Sequence, residues 1–209
     1  MTTDPTTAPT TDAATTLANT RASEQKATDA LLVLLDEERA RLVAEIERIP
    51  LALQAQRLVA DGWSVIEVVE HVARVDRGVA KLLATARAGE LRAAKEEAAA
   101  KAASILAAPL PAIIVSKIRD RSMRLEAPER VRPTGTLSPD GAMGLLVDAR
   151  AALVEAYRAA PADVLDQSVW SHPYFGPLTL RAWVELSAHH DARHAAQLHE
   201  LATIAAAHR

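Results

Sequence analysis

Apolar side chains recur every three or four residues along most of the chain, which is the spacing of one face of an amphipathic helix. The pattern predicts four long helices, over about 22–48, 64–88, 138–160 and 178–207. Pro50 follows the first stretch and Pro161 follows the third, and a proline does not continue a helix. The chain is therefore predicted to be built from four helices and their connections.

Two of these helices begin with capping signals. Ser64 and Glu67 match the capping box S-x-x-E, in which each side chain bonds a free backbone amide of the first turn. Trp63 precedes them, at the position of a hydrophobic staple. Ser138 is an N-cap residue, and Pro139 follows it at the first helical position. The second and third helices are therefore predicted to start at these two serines.

The ends and connections are less regular. Residues 1–20 are rich in Thr, Ala and Pro and have almost no large apolar side chain, which predicts a disordered tail. The rest, 21–209, is predicted to be a single domain. The interval 50–62 has room for a short extra turn. The connection 162–177 holds three of the aromatic residues, so we expect it to pack down onto the bundle.

Residues 89–136 are predicted to form a partly helical crossover between the second and third helices. The stretch 90–107 is rich in Ala and charged residues, which favours a helix. Two prolines then break it, and the isoleucines between 113 and 118 indicate a short second helix. Two prolines within 127–138, Pro128 and Pro133, predict an ordered loop.

The composition supports an all-α fold. Apolar residues make up 49% of the chain, and only seven Gly, three Trp, two Tyr and one Phe are present. A β-sandwich or barrel normally contains more β-branched and aromatic residues and more turn glycines. The predicted fold is an all-α four-helix bundle with long crossover connections.

The charge pattern argues against two classes of partner. The formal net charge is -3, with both signs mixed along the chain, so we expect binding neither to nucleic acid nor to a membrane surface. No apolar run reaches the ~18 residues of a membrane helix. The N-terminal segment lacks the basic and apolar regions of a signal peptide. These features, with the absence of cysteine, predict a cytoplasmic protein.

Four of the seven histidines lie within residues 189–199. His190 and His194 are four residues apart, which places them one turn apart on the same side of a helix. Two imidazoles at this spacing bind one metal in H-E-x-x-H proteins. Here the intervening residues, at 191–193, are Asp, Ala and Arg, so the general base of a zinc protease is missing and that class is excluded.

His71 lies in the apolar stripe of the second helix, as His190 and His194 lie in that of the fourth. Burying three neutral imidazoles in an Ala, Val and Leu core costs free energy unless each has a partner. One divalent cation between the helices is a partner for all three, and three ligands leave a position open for chemistry. The alternative is that each ring is a core histidine with an ordinary hydrogen bond.

Three further residues are candidates for the surroundings of this site. His172 either lines the mouth of the site or caps its own loop, and the loop cap is favoured. Gln197, one turn beyond His194, either orients a ligand or is an ordinary buried amide. Glu67, one turn before His71, is either the hydrogen-bond acceptor behind that ring or only a cap, and the cap is favoured.

The neighbours of the histidine pair are expected to serve structure rather than chemistry. His189 points about 100° away from His190, toward the surface or the edge of the stripe. Asp191 and Arg193 are predicted to form an exposed face. Trp183, like Trp63, is predicted to lie in the core.

Three motifs resemble those of the DinB/YfiT-like superfamily. The run WSVIE at 63–67, followed by His71, resembles the W-S-x-x-E-x-x-x-H opening of the second bundle helix. The run HDARHAAQ at 190–197 resembles the H-x-x-x-H-x-x-Q signature of the last helix. The run HPYFGPL at 172–178 is similar to the H-P-x-F-G element before it. Order and spacing agree from about residue 25 to 205.

The resemblance implies a bundle that is often a homodimer. It also implies a divalent metal, zinc or nickel, bound by His71, His190 and His194. Relatives include thiol-dependent S-transferases and a mycothiol-dependent maleylpyruvate isomerase, which implies a small-molecule substrate and a low-molecular-weight thiol cosubstrate. Because the chain has no cysteine, the nucleophilic sulfur would arrive with that cosubstrate.

The sequence leaves three functional classes open. The first is a metal-dependent transferase that uses a thiol. The second is a metal-dependent hydrolase, with His172 or Glu67 as the base. The third is a non-enzymatic metal-binding or dimerisation module. A di-iron carboxylate bundle is disfavoured because it needs paired Glu-x-x-His motifs, and the sequence has none.

Overall fold

The computed structural model describes residues 11–91, 105–123 and 125–207. In chain order the elements are α1 (Thr11–Glu47), α2 (Leu51–Gln54), α3 (Val65–Arg87), α4 (Ala112–Arg119), a 3₁₀ turn (Glu129–Val131), α5 (Pro139–Ala159), α6 (Ala162–Gln167), β1 (Val169–His172), β2 (Gly176–Thr179) and α7 (Leu180–Ala207).

The four long helices α1, α3, α5 and α7 form a bundle, as the apolar pattern predicts. Helix α3 packs mainly against α5, α1 packs mainly against α7, and α3 and α7 join the two pairs. The short helices α2 and α4 occupy the positions predicted for an extra turn and a short second helix. No helix within the described ranges is long and apolar enough to cross a bilayer.

The predicted caps are present. Ser64 Oγ accepts a hydrogen bond from the amide of Glu67 at 3.2 Å, and the Glu67 carboxylate accepts one from the amide of Ser64 at 2.8 Å. Ser138 Oγ accepts a bond from the amide of Gly141 at 3.1 Å, with Pro139 in the first turn. Helices α3 and α5 therefore begin where the sequence places them.

Helix α1 begins earlier than predicted. It extends back to Thr11, through the second half of the segment interpreted as a tail, while residues 1–10 lie outside the described residues. The side chains described between Thr15 and Thr20 are exposed, and Thr20 Oγ1 donates to the carbonyl of Thr16 at 3.0 Å. No proline interrupts 11–47, so the backbone hydrogen bonds of α1 can continue through these exposed turns.

The crossover differs from its prediction where it meets the hairpin. Of the helix predicted over 90–107, residues 92–104 lie outside the described residues, and Leu106 on its far side is extended. The Leu106 amide donates to the carbonyl of Pro177 at 2.9 Å, and its carbonyl accepts from the amide of Thr179 at 2.9 Å. Pairing with a free strand edge replaces the helical hydrogen bonds that the Ala-rich composition favours.

The aromatic connection at 162–177 is more regular than predicted. It contains α6 and an antiparallel hairpin in which Val169 of β1 pairs with Thr179 of β2. Gly176, at φ 76°, follows the turn in a conformation that favours glycine. The hairpin delays the start of α7 to Leu180, two residues later than predicted. Four-residue strands are too short to show a clear alternation in sequence.

The bundle interior has two hydrophobic clusters. One surrounds Leu35, Leu83 and Tyr157, and the other surrounds Leu42, Val68 and Leu198. Each long helix contributes to both clusters. The bundle is thus divided along its length into two apolar halves.

A buried ionic layer separates these halves, with one residue from each long helix: Arg39, Asp76, Arg150 and Asp191. Arg39 lies 2.8 Å from Asp76 and 2.9 Å from Asp191. Arg150 lies 3.0 Å from Asp76 and 2.8 Å from Asp191. The two cations balance the two anions, and the aspartates are at most 1% exposed. We call this group the ionic layer.

Candidate metal centre

The structure brings together the three histidines that the sequence singles out. His71 lies in the middle of α3, and His190 and His194 lie one turn apart on α7. The Nε2 atom of His190 is 3.1 Å from Nε2 of His71 and 3.1 Å from Nε2 of His194. One ligand atom from each ring lies within 4.8 Å of the other two.

Hydrogen bonds on the far side of two rings fix which nitrogen faces the centre. Nδ1 of His71 lies 2.8 Å from the carbonyl oxygen of Val131, and Nδ1 of His194 lies 2.8 Å from Oε1 of Gln197. Both oxygens only accept hydrogen bonds, so each Nδ1 carries the proton of the neutral ring. The Nε2 lone pairs of His71 and His194 therefore both point toward His190.

This arrangement fits a cation better than it fits three neutral rings alone. Nε2 of His190 can offer at most one hydrogen, while two lone pairs face it. A divalent cation accepts all three lone pairs, and acceptors behind ligating histidines are the usual way in which proteins orient them. The donor set of three imidazoles suits zinc, nickel, copper and iron. The residues therefore fit the metal that the resemblance implies.

The protonation of the three rings also suits ligation. Burial lowers the pKa of His71, and it lowers the pKa of His190 and of His194 well below the ordinary value. The neighbouring imidazoles lower the last two further. All three rings are therefore neutral at pH 7, which is the form that binds metal.

A cavity of about 500 Å³ opens beside the three rings and is mostly apolar. Its wall is formed by α3, α7, the hairpin and the loop around the 3₁₀ turn. Five of the six aromatic residues of the chain line it: Trp63, Trp170, Tyr174, Phe175 and Trp183. Trp63, predicted to lie in the core, is instead half-buried beside His71, with ring centroids 4.9 Å apart. Trp183 is buried as predicted.

His172 lines this cavity, contrary to the preference for a loop cap alone. Its ring stacks on Phe175 at 4.8 Å and contacts Trp183 at 5.0 Å between centroids. It also has the capping role, because Nδ1 accepts a hydrogen bond from the amide of Tyr174 at 3.2 Å. Burial, and then the charge of Arg130, lower the pKa of His172 to about 4.

The pKa of His172 predicts acid sensitivity of the metal-free protein. Between pH 6.5 and about 4 the unfolded chain binds a proton at this ring that the folded chain does not, so stability is full above pH 6.5 and falls as the pH drops. At 1.36 kcal/mol per pKa unit the complete loss is at most about 3 kcal/mol. The free energy of unfolding is measured with urea, in the presence of chelator, at pH 7 and at pH 4.5. Between these two pH values His172→Gln should lose about 2 kcal/mol less of it than the wild type. His199→Gln, at an exposed histidine, should match the wild type, and equal losses in all three proteins would contradict the prediction.

Two other candidates have definite positions. Gln197 accepts a hydrogen bond from Nδ1 of His194 at 2.8 Å and so holds that ring. Glu67 is not the acceptor behind His71, because that position belongs to Val131. The Glu67 carboxylate instead caps α3 and pairs with Arg57 at 2.5 Å. No sequence signal points to Val131, since its contribution is a backbone carbonyl.

Three neighbours of the histidine pair are buried, whereas Asp191 and Arg193 were predicted to be exposed and His189 to lie at the surface or the edge of the stripe. Asp191 belongs to the ionic layer and is fully buried. Arg193 donates to the carbonyls of Ile118, Asp120 and Met123. His189 accepts a hydrogen bond from Arg119 at 2.9 Å. Helix α4, in the crossover segment, packs against this side of α7. The prediction assumed that α7 buries a single apolar stripe, so it left this side exposed.

Comparison with known proteins places this architecture in a family. The family model described as the DinB superfamily matches residues 34–198. The chain belongs to the DinB superfamily. The match to DinB proteins spans α3, α5 and most of α7, and it includes all three histidines of the candidate centre.

Two proteins similar to this DinB protein are informative. The uncharacterized protein YuaE of Bacillus subtilis (strain 168) is 26% identical over 149 residues, which cover 70% of this chain and 81% of YuaE. The crystal structure of TT2238, described as a four-helix bundle protein, aligns with a TM-score of 0.54 and 23% identity, covering 83% of this chain and 98% of TT2238. The second similarity supports the bundle fold alone.

Proposed function

We propose that this DinB protein binds one divalent cation, zinc or nickel, through Nε2 of His71, His190 and His194. The observation that supports this most strongly is the pair of Nδ1–H groups held by Val131 and Gln197. These bonds direct two lone pairs to the same point, where His190 supplies a third ligand atom.

We further propose that the protein is a transferase that uses a low-molecular-weight thiol. A bound divalent cation lowers the pKa of a thiol that reaches it, which supplies a thiolate at neutral pH. The chain has no cysteine of its own, so the sulfur belongs to a cosubstrate. The aromatic wall of the cavity excludes water and holds an apolar electrophile against that sulfur.

The lining of the cavity favours transfer over hydrolysis. A hydrolase needs a base to activate water, and among the described residues that line the cavity the only carboxylate is Glu126. Glu126 is exposed and paired with Arg132. His172 accepts a hydrogen bond at Nδ1, so its neutral ring carries the proton on Nε2, where it is a donor and not a base.

The test begins with the metal. The purified protein is assayed for bound zinc and nickel, and its conjugation of chlorodinitrobenzene is measured with several small thiols. We expect about one metal per chain and a conjugation rate that chelator abolishes and added metal restores. A protein that binds metal but conjugates no thiol, while it hydrolyses ester or amide substrates, would contradict the transferase proposal and leave the metal centre intact.

A further inference from the structure

A groove rich in positive charge adjoins the cavity along α3. Four cationic side chains line it: Arg74, Arg77, Lys81 and Arg130. They face a single carboxylate, that of Glu70, which is already bonded to Arg74 and to Thr134. The groove is thus strongly positive in a chain whose formal net charge is -3.

Three of these cations form no ion pair with the acidic residues that the structure describes. Within 11–91, 105–123 and 125–207, no ion pair involves Arg77, Lys81 or Arg130. Cations gathered on one surface repel one another. An anionic ligand relieves that repulsion, and arginine side chains bind carboxylates with two parallel hydrogen bonds.

The groove and the cavity meet at Gly78. Gly78, Lys81 and Arg130 line both spaces. A Cβ atom at Gly78 would meet no atom within 4 Å, so packing does not require glycine here. Glycine in a helix interior costs about 1 kcal/mol relative to alanine. The absence of a side chain at Gly78 keeps open the space where the cavity and the groove meet.

The helix sets the length that a ligand must span. Gly78 lies seven residues beyond His71 on α3, and Lys81 lies ten residues beyond it. At 1.5 Å per residue these separations are about 10 and 15 Å along the helix axis. A ligand that reaches both the three histidines and the part of the groove at Lys81 is therefore elongated, and the aromatic residues of the cavity lie along it.

We propose that the groove binds the carboxylate end of an elongated thiol cosubstrate whose sulfur reaches the three-histidine centre. The inference rests on the function proposed above for that centre. It adds the chemical class of the cosubstrate: an anionic group at one end, a thiol at the other, and an apolar middle that passes over Gly78.

Matched probes test the charge preference. Calorimetry on the metal-loaded protein compares mercaptoundecanoic acid with mercaptoundecanol, which differ only in the terminal group. We expect the acid to bind about tenfold more tightly, which corresponds to about 1.4 kcal/mol, and this ratio of affinities to fall with added salt.

In the triple variant Arg77→Gln, Lys81→Gln and Arg130→Gln the ratio of affinities should fall to about one. The control Lys117→Gln removes an exposed cation outside the groove and should keep the wild-type ratio. Equal binding of acid and alcohol by the wild type, or an unchanged ratio in the triple variant, would overturn the inference.

A second variant tests the space at Gly78. Gly78→Leu should weaken the binding of mercaptoundecanoic acid at least tenfold. The short mercaptopropionic acid, which does not reach past Gly78, should bind with the wild-type affinity. Ala84→Leu, at an exposed position of α3 outside both spaces, is the matched control. Unchanged binding of the long acid to Gly78→Leu would exclude this route.

A pair without sulfur separates the two proposals. If the thiol chemistry fails but the groove is real, undecanoic acid still binds more tightly than undecanol. If the groove does not bind carboxylates but the metal binds thiols, mercaptoundecanoic acid and mercaptoundecanol bind equally. Undecanoic acid and undecanol then also bind equally. The second result would overturn this inference alone.

Discussion

His190→Ala is expected to lose stoichiometric metal binding. His190 is the only ring of the three whose Nε2 lies 3.1 Å from both of the others, so its removal leaves two ligand atoms on separate helices with no bridge. We expect the affinity for zinc or nickel to fall roughly a thousandfold, about 4 kcal/mol. Competition with a chromophoric chelator measures this directly. The metal-dependent rise in melting temperature should disappear with it.

His199→Ala is the control for this experiment. His199 lies on the same helix but is exposed, and its ring bonds Glu45 and Arg48 at the surface. The variant should keep the wild-type metal affinity. If His190→Ala instead retains full occupancy and affinity, the centre lies elsewhere and the proposed function has no basis.

Asp76→Ala should have the largest effect on folding, because it breaks the ionic layer. Asp76 is 1% exposed and accepts hydrogen bonds from both Arg39 and Arg150. Without it, two largely buried guanidinium groups share the single carboxylate of Asp191. Removing one partner from a buried ion pair costs about 3–5 kcal/mol. Urea unfolding of the metal-free protein at pH 7 measures the loss.

Two further variants keep this experiment interpretable. Asp148→Ala removes an exposed aspartate of α5 and should change the unfolding free energy by no more than about 0.5 kcal/mol. Asp76→Asn retains one acceptor oxygen without the charge and should give an intermediate loss, which remains measurable if Asp76→Ala does not fold. A loss below about 1 kcal/mol for Asp76→Ala would show that the layer behaves as a surface ion pair.

The sequence was sufficient for the bundle and for the core of the candidate site. The helical spacing of apolar residues predicts α3, α5 and α7 nearly to their ends, because amphipathic periodicity and capping are local properties. The separation of His190 and His194 along one helix places them on a common face. That His71 meets them follows only when the apolar stripes of α3 and α7 are assumed to pack together.

The parts that were predicted wrongly depend on contacts between distant segments. Asp191 and Arg193 are charged, and charged residues are seldom buried unless they are paired, so the sequence suggested a solvated face. Their partners lie on α1, α5 and the segment around α4, and no local pattern reveals that pairing. Gln197 differs from these residues, because its contact with His194 lies within one helical turn and depends on side-chain rotamers that the sequence does not specify.

The aromatic residues have a consequence for experiments on the intact protein. Trp63, Trp170 and Trp183 are all the tryptophans in the chain, and all three line the one cavity beside the histidines. Tryptophan fluorescence therefore reports on the wall of the site, without any attached dye. Occupation of that space, or quenching by a nearby nickel or copper ion, is directly observable as a change in ultraviolet emission.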